Sequence, residues 1–236
     1  PVSLLSATVA TIPNKTYTGG QIKPSVTVKL GKTTLKEGKD YKLSYTKNTA
    51  VGKATIQITG IGNYTGSIKK SFTIVKKNIS GLSYSGLTTR SYTGKRMNPA
   101  VVIKYGKTTL KRGKDYTVKY GKNTSVGKGT VQITGKGNYA GTVVKNFKIV
   151  PKAPSVSVKA AKGKLQVSMK AVGASGYQIA YATSSKGKWN YTMSGSSKTI
   201  KLSRNKTYYV KVRAYKTIDG KKCYGSYSSL KHVKTK

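Results

Sequence analysis

The chain reads Gly38-Lys39-Asp40-Tyr41-Lys42-Leu43-Ser44-Tyr45 and, 75 residues later, Gly113-Lys114-Asp115-Tyr116-Thr117-Val118-Lys119-Tyr120. The match extends over residues 16–75 and 91–150 at one offset without a gap, and 36 of 60 positions are identical. Tandem copies of one unit are typical of arrays that supply length or repeated weak contacts, and they seldom build a catalytic site. The sequence therefore predicts a repeat architecture more directly than it predicts a function.

Alternation of apolar and polar residues predicts strands in both copies. The segments with apolar residues at every second position are Val26–Leu30, Tyr41–Tyr45, Ala54–Thr59, Tyr116–Tyr120 and Thr130–Ile133. One face of each segment is apolar and the other carries Lys, Thr, Ser or Gln, as in a sheet that packs on one side only. The lysines expected on outward faces are Lys29, Lys42, Lys104 and Lys119.

Glycines mark the turns between these strands. We expect Gly31 and Gly106 each to begin a two-residue turn, with a positive φ at the glycine. Asp40 and Asp115 precede strands and are expected to accept hydrogen bonds from nearby backbone amides. No window has helical spacing over more than about two turns, so the predicted fold class is all-β.

Residues 155–236 do not repeat the unit but have strand patterns of their own. These are Val156–Val158, Lys164–Met169, Gly176–Tyr181, Lys198–Leu202, Tyr208–Tyr215 and a last strand near Ser228–Val233. The connector at residues 151–154 contains two prolines, which favour an extended junction. Short strands at this spacing predict three small Ig-like or fibronectin-like β-sandwich domains in tandem, at residues 1–76, 77–151 and 152–236.

The charge of the chain is extreme and of one sign. Forty-six Lys and Arg oppose four acids, for a net charge of +42. The net charge is +9 in residues 1–75, +15 in 76–150 and +18 in 151–236. Lysines protect strand edges and solvate faces, but this role does not explain why acids are nearly absent. A field of this kind attracts polyanions.

The ratio of lysine to arginine indicates which class of polyanion the chain would bind. Forty-one of the cations are Lys, and only five are Arg. Arginine suits the bidentate recognition of a base edge or a phosphate, whereas lysine acts as a point charge. The composition therefore favours a diffuse, salt-sensitive attraction over sequence-specific nucleic-acid recognition.

Residues for catalysis or metal binding are scarce. His232 is the single histidine, and Cys223 stands alone in a predicted loop, so no disulfide forms within the chain. Asp40 and Asp115 fall in different predicted domains and make no carboxylate pair. We therefore predict no catalytic residue, no metal site and no cofactor. No apolar stretch approaches the ~20 residues of a membrane-spanning helix.

Basic clusters are the candidate binding residues in the two copies. Three lysines of the first copy recur 75 residues later, and the second copy adds Arg112 at the position where the first copy has Glu37. The hairpins are expected to present several of these cations on one edge. The predicted residues are Lys32, Lys36, Lys39, Lys107, Lys111, Arg112 and Lys114.

A second cluster is predicted in the last domain, where cations fall near aromatic residues. Its predicted residues are Lys186, Lys188, Trp189, Lys221 and Lys222, with the four lysines expected in loops beside Trp189, Tyr191 and Tyr224. Cations mixed with aromatic faces suit sugar rings that bear acidic groups, or stacked bases.

The two copies resemble the MBG-type, Ig-like repeat that occurs in tandem on bacterial surface proteins. The matching residues of the first copy are Tyr17-Thr18-Gly19, Pro24, Gly38–Tyr41, Asn48, Gly52 and Gly60–Gly66. Their equivalents in the second copy are Tyr92-Thr93-Gly94, Pro99, Gly113–Tyr116, Asn123, Gly127 and Gly135–Gly141. Together the two copies cover about half of the chain.

Residues 155–236 are similar to a fibronectin type III domain. Leu202 followed by Tyr208 matches the corner at which that family ties a buried Tyr to the backbone. Gly176–Tyr181 with Trp189 downstream resembles its third strand and the hairpin that follows. The family often carries a Trp on its second strand, and Leu165–Met169 contains none.

The resemblances imply a stalk, spacer or accessory binding module on a bacterial surface or in a secreted protein, and neither family supplies catalytic residues. The expected function is a non-enzymatic, monomeric segment that grips an anionic polymer electrostatically. The expected polymer is a cell-envelope polymer such as teichoic acid, and next an acidic host glycan that is sulfated or sialylated. The alternatives are a non-specific nucleic-acid binder, a pure spacer and an appendage of a secreted enzyme.

Overall fold

A computed structural model describes residues 1–236, and its regular secondary structure consists of strands and two short 3-10 helices. The chain divides into two compact units. The first comprises Pro1–Tyr84, Val102–Val118 and Ile133–Val143, and the second comprises Ser85–Val101, Lys119–Gln132 and Val144–Lys236. The second copy of the repeat contributes to both units, and the predicted boundaries at 1–76, 77–151 and 152–236 stay a prediction.

The first copy consists of nine strands and one 3-10 helix. The strands are β1 (Val2–Ser3), β2 (Thr8–Val9), β3 (Lys15–Thr16), β4 (Val28–Leu30), β5 (Thr33–Thr34), β6 (Tyr41–Thr46), β7 (Gly52–Gly60), β8 (Tyr64–Thr65) and β9 (Ser67–Val75), and the helix is Leu4–Ser6. A four-stranded sheet in the order β3-β9-β7-β6 faces a three-stranded sheet in the order β2-β4-β5. Apolar residues from both sheets form one core, which includes Val28, Ile56, Ile58 and Ile74.

The second copy contains the equivalent strands and one equivalent 3-10 helix. Its strands are β10 (Lys77–Asn78), β11 (Ser83–Ser85), β12 (Arg90–Ser91), β13 (Val102–Tyr105), β14 (Thr108–Thr109), β15 (Tyr116–Tyr120), β16 (Gly127–Gly135), β17 (Tyr139–Ala140) and β18 (Thr142–Val150), and its 3-10 helix is Ile79–Gly81. The strand orders β12-β18-β16-β15 and β11-β13-β14 match those of the first copy. The alternation of residues 116–120 thus predicted a strand with the correct ends, whereas Val26 and Thr27 lie outside β4.

The predicted glycine turns are present. Leu30 pairs with Thr33, so Gly31 and Lys32 form a two-residue turn in which Gly31 has a φ of 60°. The equivalent Gly106 has a φ of 57°. A glycine adopts this left-handed conformation without the steric cost that a β-carbon would add.

Asp40 and Asp115 have the backbone-capping role expected from the sequence. Oδ2 of Asp40 accepts a hydrogen bond from the backbone N–H of Lys36 at 2.8 Å, and Oδ2 of Asp115 accepts one from Lys111 at 2.7 Å. These bonds close the turns that precede β6 and β15. A charged acceptor makes such a bond stronger than a neutral one.

The remaining residues form a β-sandwich of eight strands, of which about seven were expected. The strands are β19 (Ser155–Ala161), β20 (Lys164–Lys170), β21 (Gly176–Ala182), β22 (Asn190–Ser194), β23 (Ser197–Lys201), β24 (Thr207–Ile218), β25 (Lys221–Tyr227) and β26 (Lys231–Lys234). One sheet has the order β19-β20-β23 and the other the order β22-β21-β24-β25, with β26 also paired to β24. Both sheets contribute to one core, which includes Leu165, Val167, Ile179 and Val212.

The tyrosine corner expected from the resemblance is confirmed. The ring of Tyr208 is buried in this core, and its hydroxyl accepts a hydrogen bond from the backbone N–H of Ser203 at 3.2 Å. The bond ties the turn before β24 to the strand itself. The all-β, tandem-sandwich prediction is therefore correct.

The predicted loop around Cys223 is wrong. Ile218 pairs with Lys221, so the turn contains only Asp219 and Gly220, with φ values of 49° and 74°. Positive φ at both central residues is typical of the Asp-Gly turn in a tight hairpin. Lys221, Lys222 and Cys223 consequently lie in β25 and not in a loop. No helix in the chain is long and apolar enough to cross a membrane.

Candidate polyanion-binding face

The basic residues predicted in the two copies lie in exposed turns. Lys32 and Lys107 occupy the two-residue turns after β4 and β13. The others lie in the turns that Asp40 and Asp115 close: Lys36, Lys39, Lys111, Arg112 and Lys114. All seven side chains are exposed, and none of them makes a cation–π contact with an aromatic ring.

Trp189 and Lys222, two of the residues predicted in the last sandwich, belong to a more organised surface. Along β24, Tyr208, Val210, Val212 and Ala214 point into the core. The residues between them therefore point to the opposite side of the sheet, because successive side chains of a strand alternate between its faces. This outer row of β24 contains Tyr209, Lys211, Arg213 and Tyr215, all of them half-buried.

Cations and aromatic rings alternate on this side of the sheet. Nζ of Lys211 lies 4.1 Å from the ring centroid of Trp189 and 4.9 Å from that of Tyr227. Cζ of Arg213 lies 4.0 Å from the centroid of Tyr224 and 4.9 Å from that of Tyr227. Each distance is within the range at which a ring face attracts a cation.

The same pattern continues to the end of the hairpin. Nζ of Lys222 lies 5.4 Å from the ring centroid of Tyr215, and the rings of Tyr215 and Tyr224 are 5.8 Å apart at a tilt of 58°. We call the whole set the cation–aromatic face. Its members are Trp189, Lys211, Arg213, Tyr215, Lys222, Tyr224 and Tyr227.

Gln178 fixes the centre of the cation–aromatic face. It is opposite Arg213 in the pairing of β21 with β24. Oε1 of Gln178 accepts hydrogen bonds from Nε of Arg213 at 2.7 Å and from the Tyr227 hydroxyl at 3.3 Å. The guanidinium is thus held by one polar bond and two ring faces, which limits its rotamers before any ligand arrives.

Close packing around Tyr227 shifts the pKa of its hydroxyl. Burial raises the pKa of its hydroxyl, and the nearby positive charge of Arg213 lowers it in part. Tyr191 and Tyr224 are further neighbours that raise the pKa. Tyr227 therefore stays neutral at physiological pH and does not compete with an anionic ligand for the cations.

Exposed lysines border the cation–aromatic face. Lys186 and Lys188 lie in the loop between β21 and β22, directly before the half-buried Trp189. Lys221 and Lys222 begin β25 and are exposed. The exposed Tyr191 is opposite Ala180, and Ala180 is opposite Lys211, so a small residue separates this ring from the cation. The structure thus brings Trp189 and Lys222 into the face and places the other predicted lysines in adjoining sequence segments.

Lys211, Arg213, Gln178 and Tyr227 were missed at the sequence level. The alternation of residues 208–215 predicted the strand that carries Lys211 and Arg213, but these two residues were not selected. It did not reveal that the Asp-Gly turn returns the chain as β25, which places aromatic rings against them. The residues that contact them come from other strands. The pairing register between those strands and β24 cannot be read from a single sequence.

Two other chemical groups are not members of this face. The exposed His232 has its ring 6.0 Å from that of Tyr209. Cys223, on the same strand as Lys222, lines an open, largely apolar cavity of about 580 Å³ together with Phe147 and Ile218. No three His, Cys, Asp or Glu residues lie close enough to hold a metal ion together.

Comparisons with known proteins give little beyond this geometry. No protein-family model matches the chain, and no curated protein matches it. Among solved structures, the chain is similar to the crystal structure of chicken CNTN1 FN1-FN3 domains, with a TM-score of 0.33 and 14% sequence identity. The match covers 94% of this chain and 99% of that chain. The strand pairing described above shows the sandwich fold.

Proposed function

We propose that this chain is a non-enzymatic, extracellular binding segment of a bacterial surface or secreted protein, and that it grips an anionic glycopolymer. The cation–aromatic face is the main contact, and the basic turns of the two repeats add weaker ones. The proposed polymer is a teichoic acid of the cell envelope, and next an acidic glycan that carries sulfate or carboxylate groups. The observation that carries the proposal is the placement of Lys211 and Arg213 against three aromatic rings.

Preorganisation is the reason that this face binds better than a scatter of lysines. A free lysine or arginine loses rotamer freedom when it binds a ligand, at a cost of about 0.5–1.5 kcal/mol for each side chain. The rings and Gln178 already restrict Lys211 and Arg213 in the unbound chain. Their remaining N–H groups are available to a phosphate, sulfate or carboxylate, while the ring faces suit the C–H groups of sugars and polyols.

Repetition extends the grip along a polymer. Each contact between a lysine and a phosphate releases condensed counterions, so affinity falls steeply with salt. Modules joined in one chain raise the effective concentration of the next contact without a new kind of interaction. The net charges of +9, +15 and +18 place the strongest field on the part of the chain that carries the cation–aromatic face.

The test is retention of the full chain on immobilised teichoic acid, heparin, mucin glycans and duplex DNA at increasing salt. We expect retention on the acidic glycopolymers at physiological salt and earlier elution from DNA. Equal or stronger retention on DNA would favour the nucleic-acid binder, and elution from every polymer below physiological salt would favour the pure spacer. Either result would overturn the proposal.

The basic turns are tested separately. The variant carries Lys107→Gln, Lys111→Gln, Arg112→Gln and Lys114→Gln together, at four exposed positions. We expect this variant to elute from the glycopolymers at lower salt than the unchanged chain but to remain bound at physiological salt. Unchanged retention would remove these residues from the proposed binding surface and leave only the cation–aromatic face.

A further inference from the structure

The two repeats meet through a specific contact. The rings of Tyr17 and Tyr139 have centroids 5.5 Å apart and are nearly perpendicular, at 84°. The backbone N–H of Val51 donates a hydrogen bond to Oδ1 of Asn138 at 3.0 Å. Tyr139 is buried, and its pKa is raised to about 12, first by burial and then by neighbours that include Tyr17. We call the part of each copy that carries Tyr17 and Val51, or their equivalents, the Tyr-Val end. The part that carries Asn138 and Tyr139, or their equivalents, is the Asn-Tyr loop. The Tyr-Val end of the first copy therefore packs on the Asn-Tyr loop of the second.

The same end of the second copy is also occupied. Tyr92 and Val126 are the equivalents of Tyr17 and Val51 at the offset of 75 residues. A β-carbon added to Gly173 would lie 2.8 Å from Cδ1 of Tyr92 and 3.2 Å from Cγ2 of Val126. The loop between β20 and β21 thus packs directly on this end. In both copies the Tyr-Val end contacts the part of the chain that follows.

The Asn-Tyr loop of the first copy has no such partner in this chain. Asn63 and Tyr64 are the equivalents of Asn138 and Tyr139. The two loops share their backbone geometry, with a φ of 62° at Gly62 and 63° at its equivalent. Nevertheless Asn63 is exposed and Tyr64 is only half-buried, whereas Tyr139 is 3% exposed. The loop is therefore formed in advance but uncovered.

The segment that enters the first copy folds like the connector that enters the second. Val2 donates its backbone N–H to the carbonyl oxygen of Asn63 at 2.8 Å, as Lys77 does to that of Asn138 at 3.0 Å. Val2 pairs with Tyr64 in the same parallel register that joins Lys77 to the equivalent tyrosine. The backbone around the uncovered loop therefore reproduces the backbone around the occupied one, although Val2 and Leu5 replace Lys77 and Ser80.

Apolar side chains border the uncovered loop. Leu5 is 75% exposed and Val2 is 53% exposed. Leu5 lies close to the loop, because a β-carbon on Gly66 would be 3.8 Å from its Cγ. Exposed apolar groups gathered around one polar loop are typical of a surface that another protein covers.

We propose that Asn63 and Tyr64 form a docking site for one further copy of this repeat, placed in the chain ahead of Pro1. The tyrosine of that copy would pack on the ring of Tyr64 as Tyr17 does on Tyr139. Its backbone N–H equivalent to that of Val51 would donate to Oδ1 of Asn63. A second molecule of this chain does not fit, because both of its Tyr-Val ends are already occupied.

An added copy can keep the offset that relates the existing two copies. Pro1 is the equivalent of Lys76 at the same offset, so residues 1–75 repeated directly in front of Pro1 preserve the connector length without any insertion. The test uses this extended chain, with only the added copy labelled with ¹⁵N. The rate of hydrogen exchange is then measured at the backbone amide of the added Val51. The same rate is measured in a variant whose original Asn63, and not the added one, is changed to Ala (Asn63→Ala).

We expect the added Val51 amide to be protected, and Asn63→Ala to speed its exchange by roughly 5- to 10-fold, as expected for the loss of one hydrogen bond. The original chain supplies the matched control: Asn138→Ala should speed exchange at Val51 there, whereas Asn63→Ala should not. Unprotected exchange at the added Val51, or protection that Asn63→Ala leaves unchanged, would overturn the proposal. Dispersed methyl signals in the one-dimensional proton spectrum of each variant show whether its domains remain folded.

Discussion

Cζ of Arg213 lies 4.0 Å from the ring centroid of Tyr224, and Nε of the same guanidinium donates to Oε1 of Gln178 at 2.7 Å. Two neighbouring strands thus hold one cation from two sides. This arrangement orders the outer side of a sheet whose inner side is already fixed by the core. It separates the cation–aromatic face from the lysines of the basic turns, which are exposed and are not paired with an aromatic ring.

Replacing Arg213 should change the titration of Tyr227. The positive guanidinium lowers the pKa of the Tyr227 hydroxyl, against the larger upward effect of burial. Arg213→Gln removes the charge, so we expect the pKa of Tyr227 to rise further. NMR titration of the tyrosine ring measures the shift. Arg204→Gln, at an exposed position of the same sandwich, removes an equal charge and should leave Tyr227 unchanged.

Removing the indole ring should weaken binding without altering the net charge. Trp189→Ala deletes the ring face 4.1 Å from the Lys211 ammonium. A cation–π contact at an exposed site contributes about 0.5–1 kcal/mol, so we expect the affinity for an acidic glycan to fall roughly 2- to 5-fold. Calorimetry with heparin fragments measures the change. Trp189→Phe retains a ring and should lose less, whereas equal affinity for Trp189→Ala and the unchanged chain would exclude the ring from the site.

The tyrosine corner should stabilise the last sandwich. Tyr208→Phe keeps the buried ring but leaves the Ser203 N–H without its acceptor, which should lower the free energy of unfolding by about 1 kcal/mol. Trp189 is the single tryptophan, so its fluorescence during urea unfolding reports this sandwich alone. Tyr209→Phe on the outer row should change stability much less. A similar loss in both variants would argue against a special role for the corner.

The contact between the two repeats should weaken at alkaline pH. The pKa of Tyr139 is raised to about 12 in the folded chain, from an ordinary value near 10. The unfolded chain therefore loses this proton first, and stability falls as the pH rises from about 10 to about 12. Thermal unfolding should show a smaller decline over this window for Tyr139→Phe than for the unchanged chain. Identical declines would show that Tyr139 does not carry the effect.

The sequence predicted the strands better than it predicted their partners. Alternation over residues 116–120 gave β15 with the correct ends, because a strand with one buried face needs apolar residues at every second position. The Asp219-Gly220 turn was missed, although Asp-Gly between strands is a strong local signal. That error placed Lys221 and Lys222 in a loop and concealed the strand that brings aromatic rings to Arg213.

The candidate site was predicted only in part for the same reason. Trp189 and Lys222 were selected because cations and aromatic residues are close together in the sequence. Lys211 is 22 residues from Trp189 and meets it only through the pairing of β21 with β22 and β24. Contacts of this kind depend on the register between strands, which the pattern along one strand does not specify.

The most direct test of the cation–aromatic face compares two charge-matched variants in a salt series on an acidic glycopolymer. One variant carries Lys211→Gln and Arg213→Gln, and the other carries Lys164→Gln and Lys201→Gln, a pair of exposed lysines that are opposite each other on the other sheet. We expect the first to reduce the slope of log affinity against log salt by about two and the second to change it little, since each lost contact with an anion lowers the slope by about one. Equal reductions in the two variants would contradict the account, because they would show that only the number of charges matters.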